Sequence, residues 1–335
     1  MITPIPGYQP YLASPTRGRV TRRRKTPPIP HAAQNPYSLG LAYSRVSATR
    51  SRTSITPSVR YLTDSQLTSL LRMARRRPDL EWNPGRDIAK ARNAHVTNTA
   101  SEMASALTGE YDYLEGDVRV DNWGQPVMAH DRGAQKMMAL DEWLAIGAAT
   151  GRGLKLDFKE SQALLPALAA CKRHGVPGSK LIINVSVWGD PGTITPQQLR
   201  RVRRLYPDAI LNLSLNAKTL DPRSIAILQQ WARAAGGPIM FPLRMDMANE
   251  DVIRQLRPYG KVAIWNNPTV AAPKNTFEAI AHLRKMGVDG MIDLRKASLG
   301  DKVSAPLFDA LVGAIGWGPA VTLVNSVGDF LRMLD

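Results

Sequence analysis

The sequence predicts an α/β protein built as a (β/α)8 TIM barrel, preceded by a disordered basic N-terminal tail and a short helix. Three observations carry this prediction. From residue 91 to residue 294, apolar strand candidates alternate with helical stretches, the order a barrel of parallel strands requires. Gly175, Gly236 and Gly287 fall where helices should stop, as left-handed C-caps favour. No G-x-G-x-x-G follows the first strand, which weakens the open, doubly wound alternative and its usual nucleotide fingerprint.

The strand candidates are Ala91–His95, Tyr113–Val118, Leu154–Phe158, Leu181–Val187, Ala209–Leu215, Ile239–Arg244, Lys261–Asn266 and Gly290–Leu294. Helical patterns occupy Leu140–Ala149, Ser161–His174, Pro196–Tyr206, Pro222–Ala235, Asn249–Leu256 and Thr276–Met286. Upstream, Thr63-Asp64-Ser65 forms an N-cap cluster for a helix over Gln66–Arg77, which Pro78 ends. The expected organisation is therefore a tail over 1–62, a helical lead-in over 63–90, and a barrel over 91–335 that finishes in C-terminal helices.

Residues 1–62 are rich in Pro, Ser, Thr and Arg and show no sustained periodicity, so they cannot bury enough surface to offset their ordering entropy. The formal net charge of +16 is concentrated there: residues 1–63 contribute +10 with no acid, the remainder only +6. A tail of this kind fits a solvated linker or an arm for an anionic partner: nucleic acid, a membrane surface or a larger assembly. An Arg- and Ser-rich targeting presequence is a further option, although its prolines interrupt the usual amphipathic helix. Arg200, Arg201, Arg203 and Arg204 add a basic run on a predicted helix, where a solvated face is the simpler reading. Cys171 is the single cysteine, which excludes an intrachain disulfide framework and a thiolate zinc cluster. No apolar run approaches the roughly 20 residues of a membrane span, and no signal-peptide core is visible, so an intracellular location is the default expectation.

Strand parity selects the side chains that face into the barrel. Glu115 and Asp117 share one face of their strand. Lys155, Asp157 and Lys159 share a face of the next, opposite Leu154, Leu156 and Phe158. An apolar face suits the helix layer, so the charged face points inward, where it must pair or hold an ion. Glu115, Asp117 and Asp157 together offer hard oxygen ligands for Mg²⁺ or Ca²⁺. Asn184 with Ser186, and Asn212 with Ser214 and Asn216, continue the polar parity, and Arg244 and Trp265 lie at strand ends, where barrel active sites are built. His95 ends the first strand, and His130 follows Pro126–Ala129, which pairs back as a hairpin after Asn122–Gly124. Both histidines stand beside the predicted acids as a candidate catalytic pair. His31, His174 and His282 receive no role.

Taken together, Ala94-His95, Tyr113–Val118, Gly124–Asp131 and Lys155–Lys159 resemble glycerophosphodiester phosphodiesterases, within the phospholipase C-like, TIM-barrel superfamily that also holds phospholipase D-like enzymes. The resemblance is closer to the menorin-like branch, through His95 with Asn98, Leu140–Leu144 and Lys155–Lys159. Ile183-Asn184, Phe241–Arg244 and Ile264-Trp265 support it in barrel order. It implies Glu115, Asp117 and Asp157 as metal ligands, His95 and His130 as acid/base or nucleophile, and Lys159 as a phosphate contact. Lys155, Asn184, Arg244 and Trp265 are the remaining substrate-binding candidates. One departure stands out: phosphodiesterases have His-Arg-Gly where this chain has His95-Val96-Thr97, which removes one phosphate contact that Arg244 or Lys155 could replace. The implied activity is a divalent-metal-dependent phosphodiester hydrolase or lyase acting on a glycerophosphodiester, a lysophospholipid or a similar lipid headgroup. The alternative is a non-catalytic barrel that binds an anionic ligand while its basic tail docks to a partner.

Overall fold

The computed structural model describes residues 60–295, apart from 135–136, 190–191, 218, 268–272 and 274. The expected disordered tail up to residue 59 and the C-terminal helices beyond residue 295 lie outside the described residues. In chain order the strands are β1 (Asn93–Ala94), β2 (Tyr113–Val120), β3 (Pro126–Met128), β4 (Met138–Ala139) and β5 (Gly153–Phe158). They continue as β6 (Leu181–Ser186), β7 (Ile210–Ser214), β8 (Ile239–Arg244), β9 (Lys261–Trp265) and β10 (Ile292–Asp293). The helices are α1 (Asp64–Ala74), α2 (Ala100–Thr108), α3 (Leu140–Thr150), α4 (Leu164–Arg173), α5 (Pro196–Leu205), α6 (Pro222–Ala235), α7 (Glu250–Leu256) and α8 (Thr276–Lys285).

Eight strands, β1, β2 and β5 to β10, pair in parallel with their sequence neighbours, which is TIM-barrel order. The outer edge of β2 is shared: β1 covers its first residues, and β3 pairs antiparallel with Val118–Val120, extended in turn by β4. Among the described residues no ladder joins β10 to β1. Side chains close that seam instead, with Asp293 accepting from Asn93 Nδ2 at 2.8 Å and the Arg284 guanidinium donating to the Ala89 carbonyl.

Local chemistry accounts for the element ends. Thr63 with Gln66, Thr99 with Glu102 and Thr195 with Gln198 form reciprocal capping boxes at the starts of α1, α2 and α5. The first helix thus begins at its expected cap but stops at Ala74, three residues short of the expected Arg77, through an ordinary helical C-cap at Arg75. The α2 helix was not expected; it supplies the helical layer between β1 and β2. The basic run on α5 divides. Arg203 Nη1 donates to the Pro207 and Ala209 carbonyls at 2.9 and 2.8 Å and Nη2 to Pro238 at 3.1 Å, so it clamps strand starts rather than facing a ligand.

Two apolar cores result. The larger lies between the sheet and the helices and holds Trp143, Met103 and Leu168. The smaller plugs the barrel at the starts of the strands: Tyr113, Ile182, Met240, Ala263 and Met291 meet Trp82 and Ile88 of the lead-in. Tyr113 has the same parity as Glu115 and Asp117, so the inner face of β2 changes from apolar to charged along its length. That change sets the depth of the cavity. Gly153 makes the plug possible, since a Cβ there would lie 2.3 Å from the Tyr113 ring, which is itself held edge-on to Trp82 at 4.9 Å. Gly153→Ala is expected to cost about 1–3 kcal/mol of stability through overpacking, read as a lowered denaturation midpoint at unchanged m-value.

Cys171 on α4 is fully buried, and burial pushes its thiol up to about 12. The folded chain should therefore resist alkylation by iodoacetamide at pH 8.5 and react only on unfolding. The native state keeps this proton where the unfolded chain loses it, so the group's contribution to stability falls as the pH rises from about 8.5 toward 12.

Candidate functional site

The ends of the strands surround a cavity of about 550 Å³, and its lining includes all ten site residues expected from sequence: His95, Glu115, Asp117, His130, Lys155, Asp157, Lys159, Asn184, Arg244 and Trp265. Register places Glu115 beside Lys155, and Asp117, Asp157, Asn184 and Asn212 side by side across four strands. The three acids can each offer a carboxylate oxygen with all three atoms within 4.8 Å of one another.

Each acid is held by a separate donor. Glu115 Oε2 accepts from the Val96 amide at 2.7 Å. Asp117 Oδ2 accepts from Asn98 Nδ2 at 2.7 Å, and the Asp117 amide returns a bond to Asn98 Oδ1 at 2.8 Å. Asp157 Oδ1 accepts from Asn184 Nδ2 at 2.5 Å. The Lys159 ammonium lies between two of them, 2.9 Å from Asp117 and 2.7 Å from Asp157. Burial opposes the charge on Asp117, but Lys159, His130 and the Asn98 bond outweigh it and hold the carboxyl well below its usual range. Burial likewise opposes the Lys159 charge, and the two aspartates overcome it and raise the ammonium pKa. Glu115 has no lysine bonded to its carboxylate; burial dominates and raises its carboxyl, against the pull of His95 and of the neighbouring Lys155.

The Val96 amide reaches Glu115 because Val96 adopts φ +60°, a conformation β-branched residues rarely tolerate. Val96 is thus a strained backbone donor to a candidate ligand. Strain of this kind, about 1–3 kcal/mol, persists where surrounding structure imposes it. Here Thr97 supplies the restraint: its amide and hydroxyl both donate to the Glu115 carbonyl, at 2.8 and 2.7 Å, and Trp143 Nε1 donates to the same hydroxyl at 2.8 Å.

The two histidines are positioned differently. His95 Nδ1 lies 2.9 Å from Asp293 Oδ2 and 3.8 Å from Glu115 Oε2. Burial disfavours its cation, yet Glu115 and Asp293 more than compensate and raise its pKa above the ordinary value. Burial also opposes the Asp293 charge, and His95 lowers that carboxyl in turn. His130 is more open, with its side chain 42% exposed and Nδ1 3.0 Å from Asp131. Arg119 Nε donates to the His130 carbonyl at 2.8 Å and ties it to buried Glu160 through Nη1. Arg244 lines the cavity but forks onto Asp246, at 2.5 and 2.9 Å. Lys155 makes no hydrogen bond or ion pair among the described residues.

Sequence reasoning missed Asp293, although it shares the inward parity of the final strand. It also left Asn98 outside the site and gave Asn212 no role; Asn212 is 1% exposed, and its Oδ1 has no partner among the described residues. As a test of fit, three hard oxygen donors from adjacent strands, each oriented by its own hydrogen bond, match what Mg²⁺ or Ca²⁺ requires. Lys159 is the group a cation would have to displace.

A sequence model described as the Menorin N-terminal domain matches residues 87–260. Human protein FAM151B is 32% identical over 87 residues, covering 24% of this chain and 32% of its own length, so the match spans about a third of that relative. Among solved structures, similarity extends to a Galdieria sulphuraria protein assigned as a glycerophosphodiester phosphodiesterase, with 13% identity, a TM-score of 0.47, and coverage of 62% of this chain and 95% of that one. It also extends to a glycerophosphoryl diester phosphodiesterase from Parabacteroides distasonis, with 13% identity, a TM-score of 0.41, and coverage of 68% and 87%.

Proposed function

This chain belongs to the Menorin N-terminal domain family, and from that premise we propose that it is a divalent-metal-dependent phosphodiester hydrolase or lyase using two-histidine acid/base chemistry. The observation that carries the reading is the convergence of Glu115, Asp117 and Asp157 within 4.8 Å in a cavity that also contains His95, His130 and two lysines.

Glu115, Asp117 and Asp157 would hold Mg²⁺ or Ca²⁺, which supplies neutralisation of the non-bridging phosphate oxygens as charge builds. Lys155, without an ion-pair partner among the described residues, is the cation best placed to receive the substrate phosphate, and Lys159 supports it once released from the aspartates. With Nδ1 committed to Asp293, His95 has Nε2 left for proton transfer or attack. His95 and His130 divide two tasks: taking a proton from the attacking hydroxyl and giving one to the leaving oxygen, each worth about 10²–10⁴-fold. The substrate class is a glycerophosphodiester or a lysophospholipid-like molecule.

The test is turnover of bis(4-nitrophenyl) phosphate and of glycerophosphodiesters by the purified chain with Mg²⁺ or Ca²⁺. Activity should vanish on chelation and fall at least about 100-fold in His95→Ala. Equal turnover with and without chelator, or in that variant, would remove the assignment. A second, non-catalytic reading draws on the Lys159 bridge, which already neutralises two of the acids. Anion binding without turnover of any phosphodiester would favour it.

A further inference from the structure

We infer that Arg119, held from behind by buried Glu160, is a positioning residue that sets where His130 stands against the three acids. The inference rests on the reading of His130 as an acid/base group and adds residues that the mechanism above does not use. His95 is placed by a partner from a distant strand, since its Nδ1 lies 2.9 Å from Asp293 on β10. His130 is placed differently. Its ring partner, Asp131 at 3.0 Å, is its neighbour in the same turn, so that pairing travels with the turn and does not fix it relative to the cavity.

Bonds to β2 do fix it. The Ala129 amide donates to the Asp117 carbonyl at 2.9 Å, and Arg119 Nε donates to the His130 carbonyl at 2.8 Å. Arg119 lies two residues beyond Asp117, shares the inward parity of Glu115 and Asp117, and lines the cavity. So long a side chain needs a second anchor to act as a strut. Glu160, 3% exposed and just past β5, supplies it. Its Oε1 accepts Arg119 Nη1 at 2.9 Å and Arg132 Nε at 2.8 Å, and its Oε2 accepts Gln162 Nε2 at 3.2 Å. One buried carboxylate thus holds an arginine on each side of His130 in the sequence. Burial opposes the charge on Glu160, but these donors outweigh it and keep the carboxyl below its usual range. A lysine at position 119 would keep the charge and lose the rigid fork that spans carbonyl and carboxylate.

The test is a double-mutant cycle on phosphodiester turnover. Arg119→Ala should lower kcat about 10–100-fold with KM changed less than about twofold, as a misplaced acid/base group does. Arg119→Lys should stay well below wild type, whereas a group that only attracts phosphate would be rescued by lysine and would act on KM. In a His130→Ala background, Arg119→Ala should cost no more than about twofold, because the residue it positions is gone. Urea midpoints check folding, and Glu160→Gln, which leaves Arg119 in place, should give a smaller loss of the same kind. Histidine ring resonances supply a readout that needs no turnover. Arg119→Ala should shift or broaden the His130 signal, assigned by its loss in His130→Ala, and leave that of His95 in place. Additive losses in the double variant, or an unmoved His130 signal in both Arg119→Ala and Glu160→Gln, would overturn the proposal. Wild-type protein that turns over no phosphodiester would remove the enzyme reading, and the His130 resonance then decides the clamp alone.

Discussion

Glu115→Gln is expected to lower phosphodiester turnover by about 10³-fold while leaving the metal-free protein at least as stable as the wild type. Glu115 is 1% exposed, and burial already raises its carboxyl, so its charge is costly in the absence of a cation. Asp117 and Asp157 add repulsion from the same side. Glutamine keeps an oxygen to accept the Val96 amide and removes only the charge. The charge is what a divalent cation uses. Wild-type protein should gain about 2.7 kcal/mol of stability at a metal concentration 100 times Kd, and the variant should lose most of that gain. The check is paired denaturation with and without Mg²⁺ or Ca²⁺, alongside turnover. A variant destabilised in metal-free buffer and still stabilised by metal would show that Glu115 is structural.

The largest effect on stability is expected at Glu142, away from the cavity. Glu142 is 5% exposed and lies in the first turn of α3. Its carboxylate accepts the amides of Tyr61 at 3.1 and 3.3 Å, Leu62 at 3.0 Å and Ala139 at 2.9 Å. One side chain thus caps its own helix and fixes the segment leading into α1. Glu142→Ala strands three amides together, and hydrogen bonds to a charged acceptor are worth about 1.5–3 kcal/mol each in isolation. Because the amides of Tyr61 and Leu62 can partly regain water as their segment loosens, the expected loss is about 3–5 kcal/mol rather than the full sum. Urea denaturation measures it. Glu142→Gln should recover only part of the loss, since it keeps one acceptor oxygen and replaces the other, with the charge, by an amide donor.

Parity made the acids legible. Glu115-Gly116-Asp117 and Lys155-Leu156-Asp157-Phe158-Lys159 alternate so strictly that only an inward charged face agrees with an outward apolar one. Asp293 was harder to read because a lone acid between Ile292 and Leu294 says little, and its meaning comes from His95, 198 positions away. Asn98 was visible as part of the family resemblance, but its role as a clamp on both the side chain and the backbone of Asp117 needed coordinates. The plug residue Trp82 lies in irregular chain and Ile88 in a single turn, so neither carries a period to detect. The α2 helix did leave a signal, the Thr99-Ala100-Ser101-Glu102 capping box. Val96 gave none: nothing in a sequence announces a valine at positive φ.

The central claim is that Glu115, Asp117 and Asp157 hold one divalent cation in the cavity. Calorimetric titration of chelator-treated protein with Mg²⁺ and Ca²⁺, for the wild type beside Asp157→Asn, tests it most directly. One site per chain, weakened at least about tenfold in the variant, is the predicted result. No binding of either ion to the wild type, or the same affinity in both proteins, would contradict it.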